Sequence, residues 1–187
     1  GTTGIVRPMS HDAYIMAIRS SLSVARAAGL KRVFFTTGRR SERHAQQLWR
    51  NDPEEAFIQI GDFFKRSLEF ASEMAFDTVI LTVFFGKAVK MAYGFPHTHA
   101  AKSDMCMKKL SNWAYECGGD TNLAQEILGA NTARQAFFML RENHPEVIAR
   151  VGTEMIQSAK KFVRGDVQIR SVILDFDGEI VYDSQAE

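Results

Sequence analysis

The stretch "DTVILTVFFG", residues 77–86, constrains the fold of this chain more than any other. A strand with one wet face alternates apolar and polar residues. This run is continuously apolar, so it reads as a strand buried on both faces, as in a parallel sheet covered by helices. Two shorter β-rich segments, "RVFFTTG" and "AFIQIG", precede it, and each ends on a glycine.

Helical segments fill the intervals. Ser10 is a natural N-cap, with Asp12 in the first turn, Ile15, Ile18, Leu22 and Val24 roughly on one face, and Gly29 as the stop. A second helix is predicted from Ser41 to about Trp49 and a third from near Asp62 to about Met74. Phe84 and Phe85 are placed in the strand, and "KAVKMAYG" is a short helix closed by glycine. After "FPHTHAAKSD" the chain is helical, with breaks near Gly118-Gly119, Gly129 and Pro145 and an end near Gly165. "VQIRSVILDFDGEIVYD" is then two strands joined at Asp177-Gly178, a hairpin dipeptide. Such alternation predicts an α/β fold: a Rossmann-like, open, mainly parallel sheet with helices on both faces and a C-terminal antiparallel hairpin, all in one domain over residues 1–187. The opening "GTTGIVRPMS" has the form of a binding loop between a strand and a helix. The strand before it is therefore expected upstream, in a longer chain.

Charge and cysteine usage narrow the partners. A net charge of +1 provides no global field toward nucleic acid or a membrane surface, and no apolar run approaches a membrane span. Eleven residues separate Cys106 from Cys117; if one helix runs through both, they lie about 16 Å apart as reduced, partly buried thiols. Reduced thiols point to a cytoplasmic compartment. There is no CxxC, and the two histidines of "HTH" lack further ligands at a clear spacing, so no metal site is predicted. The oligomeric state stays open, a homo-oligomer included.

Open α/β sheets bind ligands beyond the carboxyl ends of their strands. There the order of elements places Gly1, Thr2, Thr3, Gly4 and Arg7; Thr37, Gly38, Arg39, Arg40 and Arg43; Gly61 and Asp62; Gly86, Lys87 and Lys90; and His97, Thr98, His99, Lys102, Ser103 and Asp104. A nearly neutral chain thus gathers cations on one rim, which suits a ligand bearing several carboxylates or phosphates. Neither GxGxxG nor a Walker pattern is present. "VILDFDGEIV" resembles the DxDG nucleophile loop of haloacid-dehalogenase-type phosphatases, but only ten residues follow Asp177, and a hairpin turn accounts for it better. The remaining aromatic residues, Phe137 and Phe138 among them, and Met105 and Met107 read as core.

In order along the chain, "GTTGIVRPMS", "TTGRRSE", "IQIGDFF" and "FFGKAVKMAYGFPHTHAAKSDM" resemble the cobalt-precorrin-5B methyltransferase family, the CbiD-type enzymes of anaerobic cobalamin biosynthesis. The resemblance covers residues 1 to about 110 by motif and the rest by layout, and it implies a longer chain with an additional domain upstream, of which this is the C-terminal part. It implies S-adenosylmethionine as methyl donor and a cobalt-containing corrin precursor, methylated at ring carbon 1, as acceptor. On that basis Gly1, Thr2, Thr3, Gly4, Gly38, Gly61, Asp62 and Gly86 are expected at the donor. Arg39, Arg40, Lys87, Lys90 and Thr98 are expected at the corrin's carboxylates, and His97, His99 and Asp104 nearest the reacting carbon. The alternative is a corrinoid- or anion-binding module without catalysis of its own.

Overall fold

The structure, a computed structural model, describes residues 10–99 and 103–185. Its framework is a five-stranded sheet formed by β1 (Arg32–Thr36), β2 (Phe57–Gln59), β3 (Thr78–Phe84), β4 (Gln168–Leu174) and β5 (Ile180–Asp183). Their order across the sheet is β2-β1-β3-β4-β5. The first four run parallel and β5 returns antiparallel to β4, as the sequence predicts. Growth of the sheet changes direction between β1 and β3, which are direct hydrogen-bonded neighbours. This is the topological switch point of a doubly wound fold.

The helices are α1 (His11–Ala27), α2 (Arg39–Leu48), α3 (Phe64–Glu73), α4 (Phe85–Tyr93), α5 (Ser103–Glu116), α6 (Thr121–Gly129), α7 (Ala133–Leu140) and α8 (Pro145–Lys160). They cover the sheet unequally. Val33, Phe35, Val79, Leu81, Val83 and Ile173 share a large core with buried side chains of α1 and α3 to α8. The alternate residues Phe34, Ile80, Val172 and Leu174 form a smaller core with Ala45 of α2 and Phe57. Both faces of the central strand are thus dry, and each such side chain contributes about 1.5–3 kcal/mol through burial. Phe34 stacks on Phe57 with centroids 4.6 Å apart, tying the edge strand β2 to its neighbour.

Several sequence expectations are corrected. Val24 is 54% exposed, and the buried face of α1 is Ile18, Leu22 and Ala25. Six residues at about 100° each leave Val24 about 120° round the helix from Ile18, off the buried face. Helix α2 starts at Arg39, two residues earlier than expected. Phe85 is helical: β3 passes into α4 without a loop, and Phe85 packs on Phe137 from the first helical turn, centroids 5.2 Å apart. Helix α5 ends at Glu116, so Cys117 lies just beyond it. Cys106 is buried, Cys117 is half-buried, and both are free. Met107 is core, but Met105 and Phe138 are 45% and 49% exposed.

The C-terminal hairpin is a braced structural element. The Asp175 carboxylate accepts the N–H groups of Asp177, Gly178 and Glu179 at 2.9, 2.8 and 2.9 Å. Gly178 takes a φ of +96°, and a Cβ there would overlap the His44 ring of α2. This explains the "DFDG" motif as a turn. On the other side, Gly152 of α8 lies against the Tyr182 ring of β5, and Ser171 of β4 donates to the Gly152 carbonyl at 3.0 Å. Among the described residues no helix is long and apolar enough to cross a membrane.

Candidate functional site

Because β1 and β3 are adjacent, the helices that follow them begin side by side beyond the carboxyl edge of the sheet. Helices α1, α6 and α7 start on capping side chains: Ser10, Asp120 and Thr132 accept from Ala13, Leu123 and Gln135. Helices α2 and α4 start on Gly38 and Phe84 without a side-chain cap, as α3 and α8 do on Phe63 and His144. Uncapped first-turn N–H groups carry the positive end of the helix dipole and receive anions. Two such ends therefore flank the switch point. In α2 the Ser41 hydroxyl turns back instead, donating to the Gly38 carbonyl at 2.9 Å and accepting from the Thr37 N–H at 3.1 Å. Gly38 itself is extended, with open space where a Cβ would stand.

Asp62 organises the neighbouring part of the rim. Its carboxylate accepts from Lys87 Nζ and, at 3.0 Å, from the Thr98 hydroxyl. Its backbone carbonyl accepts the Thr98 N–H at 3.0 Å, and the Pro96 carbonyl accepts the Lys65 N–H at 3.0 Å. The segment 96–99 is thereby pinned across the start of α3, with Thr98 buried and His97 and His99 exposed on either side of it. Burial works against ionisation of Asp62. The hydrogen bond and charge of Lys87, the Thr98 hydroxyl and the charge of His99 outweigh it and hold the carboxyl below its ordinary range.

Aromatic rings floor this cluster. Phe63 meets the edge of the His97 ring at 4.5 Å and stacks on Tyr14 at 5.2 Å, and the His11 and His97 rings lie 5.9 Å apart. Gly61, at φ +55°, is where Tyr14 comes closest: a Cβ there would stand 3.0 Å from the ring. Burial, then the charges of Asp62 and Glu42, push the Tyr14 hydroxyl's pKa up. Tyr14, His11 and Phe63 were not singled out from the sequence. Only the histidine and tyrosine three residues apart at the start of α1 hinted at them.

The remaining expected residues divide. Lys87 joins Asp62 and Thr98 at the cluster, but as the partner of Asp62 it is not a free cation for a ligand's carboxylate. Lys90, one turn further along α4, places its charge near the Cys106 thiol; burial dominates there and raises the thiol's pKa. Gly86 is within the first turn of α4, not in a loop, and a Cβ there would touch Ala133 of α7 at 3.6 Å. Arg39 is exposed at the first position of α2. Arg40 reaches across to donate to the Phe176 carbonyl in the hairpin loop, its guanidinium 4.9 Å over the Phe84 ring. Asp104 lies in the first turn of α5. Gly1, Thr2, Thr3, Gly4, Arg7 and Lys102, and the expected preceding strand, lie outside the described residues. Among the described residues no group of three or more His, Cys, Asp or Glu side chains is placed to hold a metal ion. A groove of about 640 Å³ lies elsewhere, along α3 and the end of α8, lined by Lys65, Arg66, Phe162 and Arg164. Its Lys65 and Arg66 are paired with Glu69.

Residues 97–185 match the family described as "CbiD, C-terminal domain". The chain is 45% identical over 136 residues to a cobalt-precorrin-5B C(1)-methyltransferase of Nitratidesulfovibrio vulgaris, covering 73% of this chain and 35% of that protein. Proteins of the same name from Pelobacter propionicus and Desulfotalea psychrophila are 34% and 32% identical over 98% and 97% of this chain, and 53% and 50% of their own lengths. The chain thus spans about half the length of most of the curated relatives it matches. No solved structure matches it.

Proposed function

Because the chain belongs to the CbiD family, we propose that it forms the α/β part of a methyltransferase acting on a cobalt-precorrin in cobalamin biosynthesis, with S-adenosylmethionine as donor. The observation that carries this reading is the pair of uncapped helix N-termini at the β1/β3 switch point, beside the Asp62 cluster. The donor has a carboxylate and a ribose to hold. The N–H groups opening α2 and α4 fit the first, and the open space beside Gly38 leaves room for backbone contact with the second. Thr2, Thr3 and the flanking glycines stay candidates for the donor on the family pattern alone. Arg39, exposed at the start of α2, is a cation of this rim available to a carboxylate arm of the acceptor.

The chemistry needs little acid-base machinery. The sulfonium supplies an electrophilic methyl group. As the new carbon–carbon bond forms at the electron-rich ring carbon, the sulfur–methyl bond breaks and its electron pair stays on a neutral thioether. Alignment of the two partners and removal of water supply the rate. The chain's own contribution is positional. Asp62, Lys87 and Thr98 fix the strip that presents His97 and His99, and Tyr14 and Phe63 back it.

Calorimetric titration of the full-length protein with S-adenosylmethionine and S-adenosylhomocysteine tests this. Saturable binding of both is expected, followed by a donor-dependent gain of one methyl group by cobalt-precorrin-5B in mass spectra. Binding of neither, with a corrinoid still bound, would favour a corrinoid-binding module without catalysis.

A further inference from the structure

Beyond Gly86, on the side away from Lys87, the same carboxyl edge carries an aromatic surface that the Asp62 cluster does not use. Phe84 ends β3, Phe176 stands in the hairpin loop, and Phe138 lies on α7. The Phe84 and Phe176 rings are nearly parallel, 6° apart with centroids at 6.4 Å, and Phe138 stacks on Phe176 at 6.1 Å. Phe138 is 49% exposed, and the other two are half-buried. Three elements distant in sequence thus expose adjoining ring surface, the kind of apolar patch that marks a binding site.

Arginines border it. The Arg134 guanidinium lies 4.6 Å over Phe176 and 5.8 Å over Phe138, and Arg40 lies 4.9 Å over Phe84. Among the described residues no carboxylate forms an ion pair with either, whereas Arg32, Arg66, Arg150 and Arg170 each pair with an Asp or Glu. Arg40 gives one N–H to the Phe176 carbonyl, whereas the Arg134 guanidinium, stacked on the rings, keeps its planar fork for a carboxylate. Extended apolar area inside and unpaired cations around it match a large conjugated ring with acidic arms at its periphery.

We propose that Phe84, Phe138 and Phe176, with Arg134 and Arg40, form the platform that receives the carboxylate-bearing tetrapyrrole acceptor. This rests on the methyl-transfer reading for the identity of the ligand, and it moves the main acceptor contact from Lys87 and Lys90 to α7 and the hairpin loop.

The test is spectroscopic titration of the full-length protein with dicyanocobyrinic acid, a corrinoid whose arms are carboxylates, and with cyanocobalamin, whose arms are amidated. Arg134→Gln should weaken binding of the acid about tenfold and leave cyanocobalamin nearly unaffected. Phe138→Ala should weaken both by about three- to tenfold. Both positions are exposed, so unchanged melting temperatures are expected and serve as the folding control. Wild-type dissociation constants in both variants, or no saturable binding of the acid by the wild type, would overturn the platform. If the shifts appear but the donor titration fails, the methyl-transfer reading falls and the platform stands. If methylation occurs and the constants do not move, only the platform falls.

Discussion

Asp62→Asn is expected to lower methyl-transfer turnover on the order of 10²-fold, the usual cost of displacing a reacting geometry by about an ångström. Asparagine keeps the shape and one acceptor oxygen, so the Thr98 hydroxyl bond survives. What is lost is the charge. Lys87, with 30% of its side chain exposed, then stands without its anion, and its 3.4 Å hydrogen bonds to the Thr98 carbonyl and hydroxyl lose the charge that holds the ammonium in place. Hydrogen bonds to charged groups contribute about 1.5–3 kcal/mol, enough to let the strip shift without unfolding the domain. Donor affinity should fall less than turnover. The pH dependence gives an independent readout. Asp62 titrates lower in the folded state than its ordinary 3.8. Its stabilisation is therefore complete above that value and is lost as pH falls through the lower, folded one. Asp62→Asn should thus be less stable at neutral pH and lose less stability on acidification below about pH 4. Part of the acid slope will remain, because Arg170 and the Gln185 N–H likewise hold Asp183 low against its burial. Turnover and urea midpoints measured between neutral and acid pH check both effects; wild-type turnover with an unchanged acid limb would contradict the tether.

The second large effect concerns the brace beneath the hairpin. Gly152→Val places a side chain where the Tyr182 ring stands, in the middle of a buried helix face. Overpacking of this kind costs about 1–3 kcal/mol, more than valine regains over glycine in helix propensity. Ser171 also bonds the Gly152 carbonyl, so α8 has little freedom to back away. The partner substitution makes the prediction specific. Tyr182→Ala alone should destabilise by removing a packed ring, yet in the double variant it should relieve most of the valine's cost. A coupling of that sign is the signature of contact. Urea unfolding of the two single variants and the double variant measures it, and purely additive effects would contradict the packing. The consequence reaches the rim, because the hairpin held by this brace carries Phe176.

Most of the fold was readable because its signals are local. The apolar run over residues 79–85 demanded two covered faces, and the glycine and proline breaks located the helices α5 to α8. The errors share a cause: they are decided by contacts between distant segments. Phe85 reads as strand by composition, but its packing against Phe137 places it in a helix. Val24 belongs to an apolar-rich helix whose buried stripe is set by α3 and the sheet. At the site, the residue types gathered on the rim were legible, Asp62 among them. Its pairing with Lys87 was not, since twenty-five positions separate them and the strands they follow, β2 and β3, stand on either side of β1. Arg40 likewise reads as a solvated turn residue until the hairpin carbonyl is seen beneath it. The platform was least visible of all. Phe84, Phe138 and Phe176 look like core residues one at a time, and only the folded chain shows that their exposed faces adjoin.

The most direct test of the central claim is a crystal structure of the full-length protein with S-adenosylhomocysteine. The account predicts the ligand's amino-acid end against the opening turns of α2 and α4, with the ribose near Gly38. Density for the ligand in the groove between α3 and the end of α8, or at the amino edge of the sheet near Thr78 and Gln168, would contradict it.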